Sequence, residues 1–268
     1  MASLNQILQI LKNFAPEEHS FKECNDNVGL LLGDENSAVS RVLVCLDATD
    51  AVIDEAIALK AQLIISHHPF IFAPIKRINA NDLIGKKVIK AIQNGINIYS
   101  SHTNLDFVAG GINDFLASSL GLRNITPLDP YISETEGFGR VGDLANKMSA
   151  NDFKTLVATL LNDNRTRMIA KKDALVKRIA IINGAGGTET KNIDTAISVG
   201  ADCLVTADVK HHVAVYAKEL GFCLIEPEHY TSEHFYLSRL IQILKIEAKS
   251  AQLGIEILQS KADVNPRN

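Results

Sequence analysis

Two adjacent histidines, His67 and His68, follow a short apolar run in the sequence QLIISHHP. Residues 63–65 are aliphatic and predict a buried strand, which Pro69 ends because proline cannot donate a hydrogen bond to a ladder. Two imidazoles therefore stand at the carboxyl end of a predicted strand. Imidazole is a common protein ligand of transition metals, so metal binding is the first chemistry to consider.

The two histidines can serve neighbouring metals only if the backbone leaves extended geometry close to Pro69. Adjacent side chains of an ideal strand point to opposite faces of its sheet. The competing interpretation makes one of the pair a packed or surface residue, and burial statistics favour that interpretation for an isolated pair. Further residues of ligand type elsewhere in the chain weaken it.

Three such residues, Asp106, His229 and Glu233, lie near the ends of two other predicted strands. With the histidine pair they form a set of five ligands, which exceeds the need of one open tetrahedral site. Two neighbouring divalent ions, bridged by the carboxylate of Glu233 or Asp106, would use all five. For Glu233 a simpler account also exists, because the dipole favours an acid in the first turn of a helix that begins at Thr231 or Ser232.

Other candidates could orient the ligands or move protons. They are His102, four residues before Asp106, and His211 and His212, which follow another predicted strand. The glycine cluster at residues 184–187 could cradle an anion, but it lacks both the dinucleotide fingerprint and a Walker lysine. A tight turn is the interpretation we favour for it.

The elements that must position these residues alternate between strands and helices. Strands are predicted at residues 42–46, 63–65, 96–101, 178–182, 203–206 and 222–225, and helices at 4–14, 50–61, 83–94, 112–120, 150–161, 192–199, 212–220 and up to about 249. This rhythm predicts an α/β fold with largely parallel sheets. Ligands of such folds collect outside the carboxyl ends of the strands, where the polar clusters lie.

The residue composition changes at residues 126–142, where two prolines and three glycines predict a loop-rich segment. We take this passage as the crossing into a second lobe. The predicted division places residues 1–125 and 225–268 in a first α/β lobe, which carries most of the metal ligands. Residues 126–224 form the second α/β lobe.

Composition narrows the classes of function. The net charge is −4 and no run of Lys or Arg occurs, which argues against nucleic acid as a partner. The four cysteines are scattered singly, so buried reduced thiols are expected rather than disulfides or a zinc knuckle.

No segment has the length of a membrane helix, and the N-terminus lacks the apolar core of a signal peptide. The protein is expected to be cytoplasmic.

Five motifs together resemble the NGG-interacting-factor-three-like family, whose members are often called GTP cyclohydrolase I type 2 homologues. The motifs are DNVGLLLGD at 26–34, SHHP at 66–69, SHTNLD at 101–106, TADVKHH at 206–212 and HYTSE at 229–233. The resemblance implies two α/β lobes with a dinuclear metal centre between them. It assigns the ligands to His67, His68, Asp106, His229 and Glu233. It also implies a homohexameric ring and the short family form, without a central insert domain.

Two positions depart from the family pattern: Ala207 and Glu228 each stand where glycine is usual. Neither departure removes a ligand, although a carboxylate at Glu228 could alter the charge or backbone beside His229.

The ligand set and the resemblance lead to a metal-dependent hydrolase with two divalent ions per chain, whether zinc, iron or manganese. Its substrate would be a small molecule, with GTP first because of the family label; water would then attack the imidazole part of the guanine ring. A phosphoester is the second candidate. The rival from another class is a non-catalytic protein that stores or delivers metal or acts as a regulator.

Overall fold

The computed structural model describes residues 2–21 and 26–267, and it has the predicted α/β architecture. The chain divides into two compact units, each built around its own sheet. The first unit comprises Met1–Leu105 and Leu237–Asn268, and the second comprises Asp106–Tyr236. The sequence placed the divisions near 125 and 224. The observed divisions differ because residues 112–129 pack and pair within the second sheet.

The first unit holds a five-stranded sheet in the order β13-β4-β5-β6-β2, in which only β2 runs antiparallel to its neighbour. The two remaining strands of the first unit, β1 and β3, pair in a separate two-stranded sheet. The strands are β1 (Ala2–Ser3), β2 (Gly29–Leu32), β3 (Ala38–Val39), β4 (Arg41–Cys45), β5 (Leu63–Ser66), β6 (Asn97–Ser100) and β13 (Glu256–Gln259). The helices are α1 (Leu4–Phe14), α2 (Asp50–Leu59) and α3 (Leu83–Gln93).

Buried aliphatic side chains fix the first sheet. Strands β4, β5 and β6 contribute Leu43, Ile64 and Ile98, all fully buried, to a core that helices α2 and α3 cover. Near-continuous burial along these strands is typical of parallel strands packed on both faces. Helix α1 begins at a capping box in which the Ser3 hydroxyl accepts the N–H of Gln6 and the Gln6 side chain accepts the N–H of Ser3.

The second unit holds a six-stranded sheet in the order β7-β8-β10-β11-β12-β9. Its three central strands are parallel, and antiparallel strands flank them on both sides. The strands are β7 (Arg123–Asp129), β8 (Phe138–Ser149), β9 (Arg167–Ile169), β10 (Leu175–Ile182), β11 (Cys203–Thr206) and β12 (Cys223–Glu226). The helices are α5 (Ile112–Ser119), α6 (Ala150–Leu160), α7 (Lys191–Ser198) and α8 (His211–Leu220). Helices α4 (Thr103–Phe107) and α9 (His229–Ser250) each contain a division point between the units.

Alternate residues of β10, β11 and β12 enter two different cores, so the second sheet is covered on both faces. Ile181 and Val205 belong to the core that helices α5 and α6 complete. Ala180 and Leu204 belong to the core completed by α7 and α8. The period of two along each strand therefore explains why these segments are apolar throughout.

The loop predicted over residues 126–142 is wrong in large part. Strand β7 runs through Pro127, and β8 begins at Phe138 and includes Gly139 and Gly142. Proline is tolerated in β7 because this strand lies at the sheet edge. Gly139 has φ +60°, a backbone conformation that glycine adopts more readily than other residues.

Three of the four cysteines, Cys45, Cys203 and Cys223, are buried free thiols, as expected. Cys24 lies outside the described residues. In the part of the chain that the structure describes, no helix combines the length and apolarity required to cross a bilayer.

Candidate metal centre

In the first unit, His67 and His68 lie directly beyond the end of β5. Their backbone N–H groups still bond to β4 and its extension, at the carbonyls of Cys45 (3.1 Å) and Leu46 (3.0 Å). The ring centroids lie 5.2 Å apart, so the two imidazoles occupy one region. The strand ends at Ser66, and the change of backbone that the pair required therefore comes before Pro69.

Each ring of the pair is held through its Nδ1 atom. Nδ1 of His67 lies 2.9 Å from the Ser101 carbonyl oxygen, and Nδ1 of His68 lies 2.9 Å from Oδ1 of Asp47. A carbonyl can only accept, so Nδ1 of His67 carries the proton and Nε2 keeps its lone pair. This is the way in which metal-binding histidines are oriented in proteins.

His102 has the same kind of support from Asp26. Its Nδ1 lies 2.7 Å from Oδ1 of Asp26, whose second oxygen accepts bonds from the N–H and the hydroxyl of Thr103. Burial alone would raise the pKa of Asp26, but the hydrogen bonds from His102 and Thr103 outweigh it and hold the pKa below its ordinary value. Asp26 is therefore a carboxylate at neutral pH and a firm acceptor for the imidazole.

The three imidazoles of His67, His68 and His102 form one group. Each offers a ligand atom, and these atoms lie within 4.8 Å of one another. His102 was predicted as a residue that supports the ligands, whereas the structure places its ring among them. The first unit thus presents a nitrogen-only set of donors suited to a borderline transition metal.

In the second unit, His229 and Glu233 lie one turn apart on α9. Nε2 of His229 is 2.9 Å from Oε2 of Glu233, and Nδ1 of His229 is 2.7 Å from Oδ2 of Asp208. The helix begins at His229, so the predicted cap at Thr231 or Ser232 is wrong. Residues four apart on a helix share one face, which brings the imidazole and the carboxylate together.

The carboxylate of Asp163, which is remote in sequence, bonds to residues at the start of α9. Its carboxylate accepts the N–H of Glu228 (2.7 Å) and the hydroxyl of Thr231 (3.3 Å). Glu228, one of the two departures from the family pattern, pairs with Arg165 at 3.0 Å. The added negative charge beside His229 is therefore balanced by a neighbouring guanidinium.

Gly184 lies directly against the ligand pair of the second unit. Its φ is +65°, and a Cβ at this position would lie 2.3 Å from Oε1 of Glu233 and 3.5 Å from Nε2 of His229. The glycine cluster forms the tight turn that we predicted, a 3₁₀ helix at Ala185–Thr188. Ala207, the other departure, donates its N–H to the Gly184 carbonyl at 3.0 Å.

Asp106 is held through its backbone. Its carbonyl accepts Nδ2 of Asn113 (3.1 Å), while Oδ1 of Asn113 accepts the N–H of Asn183 (2.8 Å). The guanidinium of Arg140 is buried; it donates to the carbonyl of Phe107 at 3.1 Å. Neither Asn113 nor Arg140 was predicted as part of the site.

His211 and His212 lie elsewhere in the second unit. Both begin helix α8 and are exposed, and no potential metal-binding group of the described residues contains either of them. Asp208, by contrast, was not chosen from the sequence, although it stands within the TADVKHH motif. Its φ of +53° is unusual for a residue other than glycine.

Comparison with known proteins decides the family. The family model described as Duf34/NIF3 (NGG1p interacting factor 3) matches residues 2–266. This chain belongs to the Duf34/NIF3 family. A Clostridium perfringens relative named "GTP cyclohydrolase 1 type 2 homolog" is 34% identical over 264 residues, which cover 98% of each chain.

Solved structures of the Duf34/NIF3 type have the same fold. The crystal structure of a Bacillus cereus protein related to NIF3 has a TM-score of 0.92 at 25% identity and covers 99% of this chain and 98% of its own. A Staphylococcus aureus protein has a TM-score of 0.89 at 32% identity, with 98% of both chains covered.

The donor sets of the two units differ in charge. The first unit groups three imidazoles, and the second pairs the imidazole of His229 with the carboxylate of Glu233. No potential metal-binding group among the described residues includes Asp106. Glu233 is only 3% exposed, and a buried carboxylate is costly unless a cation or strong hydrogen bonds compensate it. These residues fit divalent transition metals by donor type.

Proposed function

We propose that this protein binds two divalent metal ions through His67, His68, Asp106, His229 and Glu233, and that it is a metal-dependent hydrolase. The observation that carries the proposal is the support behind the imidazoles. Each of the three histidines is held at Nδ1 by a carbonyl or carboxylate oxygen, which fixes the orientation of its ring as it is fixed in metal-binding histidines.

Ions bound by these ligands would lower the pKa of a water molecule toward about 7 and polarise an electrophilic group of the substrate. The chain itself supplies orientation. Asp47 and Asp208 hold the rings of His68 and His229, and the buried Glu233 contributes negative charge for which a cation compensates. Asp26 holds the ring of His102, which is close enough to His67 and His68 to bind the same ion or to exchange a proton there.

GTP is the first substrate that we propose, with water attack on the imidazole part of the guanine ring. The relatives named "GTP cyclohydrolase 1 type 2 homolog" support this choice. A phosphoester is the second substrate class, because paired metals stabilise the attacking and leaving oxygens of a phosphoryl group. A cytoplasmic, homohexameric protein is part of the same proposal.

The test begins with metal content. Protein purified with zinc, manganese or iron should carry about two ions per chain by elemental analysis. Glu233→Gln should lose at least one ion, whereas the control Glu219→Gln, at an exposed position of α8, should keep both. A wild-type protein that is folded but free of metal after growth in supplemented medium would contradict the proposed site.

The same three proteins are then incubated with GTP and with a generic phosphodiester. The proposal expects turnover by wild type and by Glu219→Gln, with a loss of at least 100-fold in Glu233→Gln. Tightly bound metal combined with equal, background-level turnover in all three proteins would reject the hydrolase and favour a protein that stores or delivers metal.

A further inference from the structure

Asn113 connects two backbone segments of the second unit that carry the candidate ligands. It lies in the first turn of α5 and is 1% exposed. Its amide donates to the Asp106 carbonyl (3.1 Å) and accepts the N–H of Asn183 (2.8 Å). Both polar atoms of the side chain therefore bond to main-chain groups, and the two bonded segments are far apart in sequence.

Each end of this bridge is next to a ligand. Asp106 is itself one of the five proposed ligands. Asn183 directly precedes Gly184, where a Cβ would lie 2.3 Å from the Glu233 carboxylate, so the position of this backbone limits where Glu233 can be. The Asn113 amide therefore fixes the Asp106 backbone relative to the surface on which Glu233 and His229 rest.

Further hydrogen bonds hold the residues that follow Asp106 and the loop before α5. The buried guanidinium of Arg140 donates to the carbonyls of Phe107 and Val108, which directly follow Asp106. It also pairs with Asp114 at 2.8 Å. Asp114 in turn accepts the N–H of Gly110 at 2.8 Å, which ties the loop before α5 to the same carboxylate.

We propose that Asn113 is a positioning residue that sets the distance between the Asp106 carboxylate and the His229–Glu233 pair. It thereby determines the affinity of the ion that these carboxylates bind. The inference rests on the proposed metal site but not on catalysis, because it concerns ligand spacing. Residues that orient metal ligands typically change affinity by about 10- to 100-fold when they are replaced.

A matched control exists in the first unit. Asn97 is 4% exposed and makes an equivalent bridge, from its Nδ2 to the Gln62 carbonyl (2.9 Å) and from the Asp34 N–H (3.0 Å) to its Oδ1. It begins β6, whereas the candidate ligands follow the opposite end of the neighbouring strands. Loss of Asn97 should cost similar stability without displacing any ligand.

The experiment compares Asn113→Ala, Asn113→Asp and Asn97→Ala with wild type. Zn²⁺ affinity is measured by competition with a chromophoric chelator, and the Tm of each metal-free protein is measured by circular dichroism. Asn113→Ala should weaken binding of one of the two ions by at least 10-fold, whereas Asn97→Ala should stay within 2-fold of wild type at a comparable fall in Tm. Asn113→Asp keeps the acceptor for Asn183 but loses the donor to Asp106. Its Zn²⁺ affinity should therefore lie between that of Asn113→Ala and that of wild type.

Equal Zn²⁺ affinity in wild type and Asn113→Ala would overturn the positioning role. Equal loss of affinity in Asn113→Ala and Asn97→Ala would overturn it too, since the effect would then follow stability alone. If Asn113→Ala does not fold, the affinity of Asn113→Asp decides, and a value within 2-fold of wild type rejects the inference. A wild-type protein without Zn²⁺ affinity would instead refute the proposed function.

Discussion

The two units hold their candidate ligands by different physical means. In the first unit, His67 and His68 follow a parallel strand, and main-chain bonds to the neighbouring strand set their positions. In the second unit, His229 and Glu233 depend on the phase of a helix and on contact with a glycine. Strand register is fixed by a whole sheet, whereas a helix face moves with a single cap or contact. Ligand geometry in the second unit should therefore be the more sensitive to single substitutions.

The largest effect is expected at the glycine contact. Gly184→Ala introduces a Cβ 2.3 Å from Glu233 Oε1 at a φ of +65°. The left-handed conformation and the steric overlap together should lower the free energy of unfolding by about 3 kcal/mol and abolish binding of the ion that we propose for Glu233. Denaturant unfolding and elemental analysis measure the two effects.

Gly121→Ala is the control for this substitution. Gly121 has a φ of +75° but no heavy atom within 4 Å of the added Cβ, so only the backbone cost of about 1 kcal/mol applies. Metal content should be unchanged. Equal destabilisation of the two variants, with metal retained in both, would show that the contact between Gly184 and Glu233 has no role in binding.

A smaller effect is expected from the carboxylates that orient the imidazoles. Asp208→Asn and Asp47→Asn keep an oxygen near His229 and His68 but remove its negative charge. Asp208→Asn should weaken Zn²⁺ binding by about 10-fold, and Asp47→Asn by less than that. Asparagine tolerates the φ of +53° at position 208, so strain does not complicate the comparison. A loss in Asp47→Asn well above that in Asp208→Asn would reverse the expected order of sensitivity.

The smallest effect is expected at Glu55 in the first unit, whose carboxylate accepts hydrogen bonds from residues 260–262. Burial would raise the pKa of Glu55, but hydrogen bonds from Ser260, Lys261 and Ala262 outweigh it and lower the pKa below 4.5. Because its pKa is lower in the folded state, Glu55 stabilises the fold at pH values above its ordinary pKa. This stabilisation is lost as the pH falls through the folded-state pKa. Glu55→Gln should lower the free energy of unfolding by about 1 kcal/mol at pH 7 and by almost nothing at a pH below the folded-state pKa of Glu55. A pH-independent difference in urea unfolding would exclude this linkage.

The candidate ligands could be chosen from the sequence because residue type marks them. His67, His68, Asp106, His229 and Glu233 stand out as imidazoles and carboxylates beyond predicted strands. Their partners do not, since the roles of Asp26 and Asn113 depend on contacts 76 and 70 residues away in sequence. The start of α9 was missed for a similar reason, because Asp163, which accepts the N–H of Glu228 there, is 65 residues away in sequence.

The fold shows the same limit. Strands β5 and β11 were predicted to within a residue from apolar runs, which local sequence records well. Strand β7 was missed because Pro127 is acceptable only at a sheet edge, and edge position depends on the whole topology. The hexamer stays a prediction from family resemblance, and the dinuclear count stays a prediction from the number of ligand-type residues and from the resemblance.

The discontinuity of the first unit has a consequence for synthesis on the ribosome. The second unit's sheet is continuous in sequence and can form once β12 has emerged. The first sheet lacks its edge strand until β13 is made, and β13 pairs with β4, whose carbonyl at Cys45 holds His67. The sheet that carries the histidine group nearest the beginning of the chain is therefore the one whose last strand is synthesised latest.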